Sequence, residues 1–278
     1  MTASGRYARY GVRLQHTATE ALDLAEETLR LLGYAVVESG LDERQLDALR
    51  EDFDRLRRED QARYGAEMLL ATGENDLIRC PLANSPRFLA LACNPRILAL
   101  VGGLLGPSFI LNQQNGIINP AGALAYSQSA YHRDLPYQHF VSSRPLAVNA
   151  LFCLDAFTLE NGATFVIPAS HKQEAFSSEA VISAQQRQLA APAGSFLVLD
   201  AMTFHCGGTN RTQADRRAVN HLYTVAAMRQ QIDLPACLGD DFSADPQVRQ
   251  LLGFNHRQPR SLAEYHAGRV AARVAPKG

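Results

Sequence analysis

The stretch Gly194-Ser-Phe-Leu-Val-Leu-Asp-Ala-Met-Thr-Phe-His205 places a run of β-forming residues between a turn glycine and a histidine. Its segment Ser195–Asp200 is short and rich in β-forming residues, which is typical of a strand. Four more short runs rich in β-forming residues flank it in the chain: 109–118, 147–154, 164–167 and 216–226. Several short strands without regular helices between them favour an antiparallel sandwich or barrel over a parallel dinucleotide-binding sheet. The sequence therefore predicts a mostly β core over about 108–228.

Helical patterns lie on both sides of this core. Asp42-x-x-Gln45 is typical of a helix start, and the apolar residues that follow recur at helical spacing: Leu46, Leu49, Phe53 and Leu56. We expect a helical N-terminal part over about 17–105 and a helical C-terminal extension over about 245–272. No internal repeat, low-complexity tract or linker divides the chain, so residues 1–278 are interpreted as a single domain.

Composition narrows the classes of partner. The 278 residues carry a net charge of −1 with 20% charged residues, so no bulk attraction to nucleic acid or an anionic membrane is expected. No apolar run reaches the roughly 18 residues needed to span a bilayer, and the polar N-terminus does not resemble a secretory signal. The five cysteines form no CxxC pair, which indicates reduced thiols rather than a cysteine-based zinc site. We expect a cytoplasmic protein acting on a small molecule, of unspecified oligomeric state.

A candidate metal site begins at Tyr131-His132-Arg133-Asp134. Residues two apart in a strand point to the same face, so His132 and Asp134 can bind one ion. Taken alone, a His-x-Asp pair is common at surfaces and in ordinary hydrogen bonding. His205 follows the β-like run quoted above, where another strand of the same barrel can present it. Two histidines and one carboxylate form the facial triad, whose three open positions suit an iron(II) oxygenase with a bidentate co-substrate and dioxygen.

A pair of arginines, Arg216 and Arg217, follows on the last predicted core strand. A dicarboxylate co-substrate needs a fixed cation for its far end, and the planar guanidinium group suits a carboxylate. Because consecutive strand residues face opposite ways, only one of the two arginines points inward. That arginine would bind the co-substrate, and the other would face solvent or pair with an acid. Asn220 shares the face of Arg216, where it could reach the co-substrate or the substrate.

These motifs, in this order, resemble the phytanoyl-CoA dioxygenase family of iron(II)/2-oxoglutarate oxygenases. The similar segments run from Gln113, seven residues before Pro120, through His132-x-Asp134 to Glu160-Asn-Gly-Ala-Thr-Phe-Val-Ile-Pro-Ala-Ser-His171. They end at His205-x-Gly-x-x-Asn210 and Arg216. Ala169 stands where the family usually has glycine in a turn, away from the chemistry. The strongest likeness covers about 113–223, and a weaker one covers most of the chain.

The resemblance implies a double-stranded β-helix, the jelly roll of cupin-like proteins. It implies His132, Asp134 and His205 as ligands of Fe(2+), Arg216 as the carboxylate clamp for 2-oxoglutarate, and Gln113 as a further co-substrate contact. Dioxygen would be the third reactant, with succinate and carbon dioxide released. Halogenating relatives replace the ligand carboxylate by a small residue, so Asp134 indicates a hydroxylase rather than a halogenase.

Other polar residues of the core carry weaker predictions. We interpret His171 and His221 as structural. His139 lies either at the substrate mouth or on the surface, and Arg144 either pairs with an anionic substrate group or is a solvated charge.

Substrate identity stays open, and so does the use of an acyl-CoA or of desaturation or cyclisation instead of hydroxylation. Two alternatives remain, a metal enzyme of the same fold that does not use 2-oxoglutarate and a non-catalytic binding protein. Three histidines are usual in the first, and a missing ligand would be tolerated in the second. Asp134 and Arg216 argue against the first alternative, and the presence of all three candidate ligands and Arg216 argues against the second.

Overall fold

The computed structural model describes residues 18–122, 126–135 and 139–274. Residue 17, where the helical part was expected to begin, lies outside them. The helices are α1 Ala21–Leu32, α2 Glu43–Tyr64, α3 Ala66–Ala71, α4 Pro86–Ala92, α5 Pro95–Leu105, α6 Glu179–Gln185, α7 Leu234–Leu238, α8 Pro246–Leu251 and α9 Leu262–Val274. The strands are β1 Tyr34–Glu38, β2 Leu77–Arg79, β3 Phe109–Asn119, β4 Ala147–Cys153, β5 Phe165–Val166, β6 Arg187–Gln188, β7 Ser195–Asp200, β8 His205–Cys206 and β9 Arg216–Val225.

Two antiparallel sheets form the core. The larger sheet has the strand order β1-β7-β4-β9-β3-β2, and the smaller sheet has the order β6-β5-β8. Val166 of the smaller sheet packs on Leu197 and Leu199 of the larger one, so the two sheets face each other. The inner face of the larger sheet carries the odd-numbered residues of β4 and β7 and the even-numbered residues of β9. The predicted β core is confirmed.

The N-terminal helices cover the outer face of the larger sheet. The predicted capping box of α2 is formed, since Asp42 accepts from the Gln45 amide and Gln45 accepts from the Asp42 amide. Phe53 is fully buried on the sheet. A Cβ at Gly116 of β3 would stand 2.7 Å from the Phe53 ring, so glycine at this position lets α2 approach closely. Helix and sheet therefore share one apolar core.

No single helix of the described ranges is long and apolar enough to span a membrane. The bent pair α4 and α5, with a break of 42°, passes that test by length and composition only. Both helices bury apolar side chains in the core, among them Phe88, Leu91, Ile97 and Val101.

Local structure differs from the sequence prediction in one place. The segment with His132 and Asp134 is not a regular strand, because His132 pairs with His205 in an isolated bridge. The His132 bridge depends on a partner that is distant in sequence, so no local pattern predicts it. Helix α6 and the short strand β6 lie in the polar segment 169–188, most of which is exposed.

Candidate metal centre

His132, Asp134 and His205 come together between the sheets. One ligand atom from each lies within 4.8 Å of the others. Oδ1 of Asp134 is 3.6 Å from Nε2 of His205 and 4.0 Å from Nε2 of His132. His205 is buried and the other two are half-buried, so the cluster opens on one side. This arrangement of two imidazoles and one carboxylate is the donor set expected for a mononuclear iron site.

Backbone hydrogen bonds place the three residues. His132 and His205 exchange amide-to-carbonyl hydrogen bonds of 2.9 and 3.1 Å, and the Asp134 amide donates to Ala201 O at 2.9 Å. Arg133, between the two candidate ligands, points to the other side. Its buried guanidinium donates to Met202 O at 2.8 Å and to Ser170 O at 3.0 Å. The arginine therefore fastens the His132 segment to the chain that leads into His205.

Each imidazole is oriented by its second nitrogen. Nδ1 of His132 lies 2.8 Å from Ala130 O, and Nδ1 of His205 lies 2.9 Å from Thr203 O. Because a carbonyl only accepts, both Nδ1 atoms carry the proton, and each Nε2 keeps a lone pair for a metal. Burial lowers the pKa of His205 below the usual histidine range. This favours the neutral imidazole that metal binding requires.

Arg216 is a buried cation with unused donors. Its side chain enters the same cavity as the three candidate ligands. Nη2 donates to the Tyr126 hydroxyl at 3.4 Å, and the guanidinium carbon lies 3.8 Å from the centre of the Phe157 ring. Nε and Nη1 are buried without a partner. Burial lowers the pKa of Arg216, but an arginine in a protein stays charged. An unpaired buried cation is costly, so the cavity is suited to an anion.

Arg217 points the opposite way. It donates to both carboxylate oxygens of Asp155 and to Asp54, which raises the pKa of Arg217 above its usual range. Strand alternation therefore separates a cavity arginine from a structural one, as the sequence predicted.

The remaining predicted site residues are distributed unevenly. Asn220 lines the cavity, and its buried Oδ1 has no partner. Gln113 is half-buried on β3 opposite Leu222, while His139 and Arg144 are exposed. None of these three is among the described residues that line the cavity. Their predicted roles as co-substrate and substrate contacts remain predictions.

The two histidines interpreted as structural lie away from the cluster. His221 is fully buried on the outer face of β9, with Nδ1 3.0 Å from Ala150 O and Nε2 2.9 Å from Gln114. His171 is buried beside α1, with Nε2 3.3 Å from Arg30 O.

Sequence reasoning does not single out two further residues of the cavity. Asn149 of β4 donates from Nδ2 to Oδ2 of Asp134 at 2.7 Å. Tyr126 packs against Gly207, where any side chain would collide with its hydroxyl. Burial raises the pKa of Tyr126, so the phenol stays protonated beside Arg216. The only sequence signal for Asn149 is a polar residue inside an otherwise apolar strand, Ala147–Cys153.

Known proteins with similar sequences include members of one enzyme family. The family described as phytanoyl-CoA dioxygenase matches residues 29–218. The uncharacterized protein Rv1501 of Mycobacterium tuberculosis is 33% identical over 252 residues, which cover 88% of this chain and 92% of the relative. The iron/alpha-ketoglutarate-dependent dioxygenase penM of Penicillium thymicola is 36% identical over 92 residues, covering 31% of this chain and 29% of penM.

Solved structures agree on the fold. The epimerase SnoN, whose structure holds Fe3+, alpha ketoglutarate and nogalamycin RO, matches with a TM-score of 0.58 at 23% identity. The match covers 81% of this chain and 93% of SnoN. The non-heme monooxygenase ThoJ matches with a TM-score of 0.59 at 21% identity, over 73% of this chain and 78% of ThoJ. The predicted jelly-roll core with flanking helices is confirmed.

Proposed function

This chain belongs to the phytanoyl-CoA dioxygenase family, and from that membership we propose that it hydroxylates a small-molecule metabolite at a C–H bond. It is an iron(II)- and 2-oxoglutarate-dependent dioxygenase, the class named for several of its relatives. The hydroxylation, the substrate and the roles of individual residues are the proposed part.

The observation that carries the proposal is the pairing of two groups in one cavity. His132, Asp134 and His205 offer three metal-ligating atoms, and Arg216 presents two buried donors without a partner beside them. A metal accounts for the first group and a carboxylate for the second. A ligand that chelates iron at one end and carries a carboxylate at the other satisfies both, and 2-oxoglutarate has this form.

The protein residues hold and orient these groups. Nε2 of His132, Nε2 of His205 and Oδ1 of Asp134 would bind the iron, while Arg216 would bind the far carboxylate of 2-oxoglutarate. Together with dioxygen, bound iron and 2-oxoglutarate supply the oxidising chemistry, which yields succinate and carbon dioxide.

The cavity wall defines the environment of the reaction. Ile117, Leu151 and Leu199 line it with apolar side chains, which limits water near the reacting C–H bond. The Phe157 ring covers one face of the Arg216 guanidinium, which fixes its plane for a carboxylate. The carboxylate of Asp134 occupies the position that halogenating relatives leave open, which supports hydroxylation over halogenation.

Two measurements test this function. Iron(II) and 2-oxoglutarate, added to the protein without oxygen, are expected to give the visible charge-transfer band of chelated 2-oxoglutarate. With oxygen and a panel of metabolites, the true substrate should raise succinate release and yield a product heavier by one oxygen atom.

The alternatives give different results. A metal enzyme that does not use 2-oxoglutarate would bind iron but show no band and release no succinate. A non-catalytic binding protein would show no substrate-stimulated succinate release. A product that has lost two hydrogens, or has gained no oxygen, would keep the enzyme class and overturn hydroxylation.

A further inference from the structure

The two oxygens of Asp134 have different surroundings. Oδ1 is the oxygen for which the structure gives the short distances to both candidate imidazole ligands, 3.6 and 4.0 Å. Oδ2 instead accepts a hydrogen bond of 2.7 Å from Nδ2 of Asn149. A carboxylate can bind a metal through one oxygen or through both. Here one oxygen is directed to the metal-ligating atoms, and the other is already bonded to an amide.

The orientation of the Asn149 amide is fixed by chemistry. An ionised carboxylate only accepts hydrogen bonds, so the NH2 group of Asn149 must face Asp134. Oδ1 of Asn149 is then left buried without a partner. A buried acceptor without a hydrogen bond is unfavourable. If the amide of Asn149 had no role beyond its own hydrogen bonding, we would expect its Oδ1 to have a partner as well.

The strand neighbours of Asn149 are apolar, although its side chain lines the cavity. In the sheet it pairs with Leu199 of β7 and with Leu222 of β9. The pattern of β4 would accommodate an apolar residue at this position, and burying an amide among leucines costs free energy. Within the described residues, the hydrogen bond that the structure gives the Asn149 side chain is the one to Asp134.

From this geometry we propose that Asn149 is a positioning residue that keeps Asp134 a one-oxygen metal ligand. The inference rests on the proposed function. The facial triad leaves three positions open, of which 2-oxoglutarate takes two and dioxygen needs the third. If Oδ2 also bound the metal, only two positions would remain. The Asn149 amide holds Oδ2 and so preserves the position that the reaction needs.

Two substitutions distinguish the effect of the Asn149 hydrogen bond from the effect of the side-chain volume. Asn149→Leu removes the donor and keeps a similar size, while Asn149→Asp keeps the shape and replaces the donor by an acceptor. Thr224→Val is the matched control, because Thr224 is also a fully buried core-strand residue whose hydroxyl has no partner. Thermal unfolding of the metal-free proteins identifies any variant that does not fold.

The decisive measurement is a titration of 2-oxoglutarate into iron-saturated protein without oxygen, followed by the charge-transfer band. Loss of an outer-shell partner typically costs about 10- to 100-fold in metal-site affinity or activity. We expect both Asn149 variants to bind 2-oxoglutarate weaker by a factor of that order, with a shifted or weakened band. Thr224→Val should match the wild type. A packing role alone would not change the band of a folded, iron-saturated protein.

The outcomes are distinct. A wild type without the band contradicts the proposed function itself. A wild type with the band, together with Asn149 variants that bind 2-oxoglutarate as tightly and with the same spectrum, overturns the role of Asn149 alone. If Asn149→Leu does not fold, Asn149→Asp decides, since its shape is that of the wild type.

Discussion

Arg216 and Arg217 are neighbours in sequence but have opposite surroundings. Arg216 enters the cavity with two unpaired donors, and Arg217 is neutralised by Asp155 and Asp54 on the other side of β9. Alternation along a strand is enough to predict that one arginine faces inward. The arginine that does so depends on the register of β9, which pairs Asn119 with Arg216 at one end.

Removal of the cavity arginine should impair 2-oxoglutarate use selectively. Arg216→Leu deletes a buried cation that would pair with the carboxylate, and truncating one partner of such a pair costs about 2–5 kcal/mol. We expect the KM for 2-oxoglutarate to rise by roughly 30-fold or more, with iron affinity little changed. Steady-state succinate release and iron titration measure the two effects.

Arg217→Leu is the matched control for this prediction. It breaks charge-assisted hydrogen bonds on the outer side of β9, so it should lower the free energy of unfolding by about 1–3 kcal/mol. Its KM for 2-oxoglutarate should stay at the wild-type value. Equal KM increases in both variants would contradict the assignment of Arg216 as the clamp.

Residue type decided how much of the candidate site could be predicted. Two histidines, an aspartate and an arginine at these spacings have few interpretations other than a metal site with a carboxylate ligand. The structure brings His132, Asp134, His205 and Arg216 to one cavity. Asn149 and Tyr126 were missed because asparagine and tyrosine serve many roles. Their positions depend on packing between segments that are far apart in sequence, which no local pattern encodes.

Among the elements, β9 presents polar side chains to the cavity on one face and a buried histidine to the helical layer on the other. Arg216, Ala218 and Asn220 face the cavity, while His221 is buried on the side of the helices. Burial lowers the pKa of His221 to about 4 from the ordinary 6.5. The folded protein therefore keeps this histidine neutral, whereas the unfolded chain binds a proton below about pH 6.5.

This difference predicts a pH dependence of stability. Below the unfolded pKa the unfolded state binds more protons, so the His221 contribution to the free energy of unfolding falls as pH falls toward 4. Between roughly pH 7 and pH 5 the loss should be about 2 kcal/mol. Urea unfolding at several pH values measures it.

His221→Gln isolates the contribution, since glutamine does not titrate. The variant should be less stable at neutral pH, because the hydrogen bonds of the imidazole are disturbed, but its stability should depend less on pH than that of the wild type. The comparison of slopes cancels His171 and His205, whose pKa values burial also lowers. Identical slopes in the two proteins would show that His221 is not the group responsible.

Elements with a complete local signal were predicted, and those without one were not. The capping box and apolar spacing define α2, and Asn94 and Pro95 stand at the break between α4 and α5. The strands β5, β6 and β8 have two residues each and exist through pairing with one another; β5 lies within the predicted run 164–167, whereas β6 and β8 were not predicted. The strand β2 and helix α7 are similarly short and were not predicted.

At the scale of the whole molecule, the helical layer and the β core share their apolar contacts. The outer face of the larger sheet contributes Phe152, Val198 and Tyr223 to the same cluster as Phe53 of α2. The three candidate metal ligands, His132, Asp134 and His205, lie on the other side of that sheet. The site is therefore supported from behind by helices that contribute no ligand to it.

This shared core predicts that the chain unfolds as one unit. Phe53→Ala removes a fully buried ring, and such changes cost about 3–5 kcal/mol. If helices and β core form a single domain, the loss should shift two urea transitions together: helix content followed by circular dichroism, and iron-dependent binding of 2-oxoglutarate. Coincident transitions are the test of cooperative unfolding.

A truncation after residue 257 is the control, because it removes α9. The described side chains of α9 are exposed, Leu262 and Val270 among them. Loss of a helix that buries so little should change the free energy of unfolding by no more than about 0.5 kcal/mol, as for surface substitutions. If Phe53→Ala moved only the helix transition and left 2-oxoglutarate binding unaffected, helices and β core would be separate folding units. Because Phe53 packs directly behind β3, we expect the two transitions to move together.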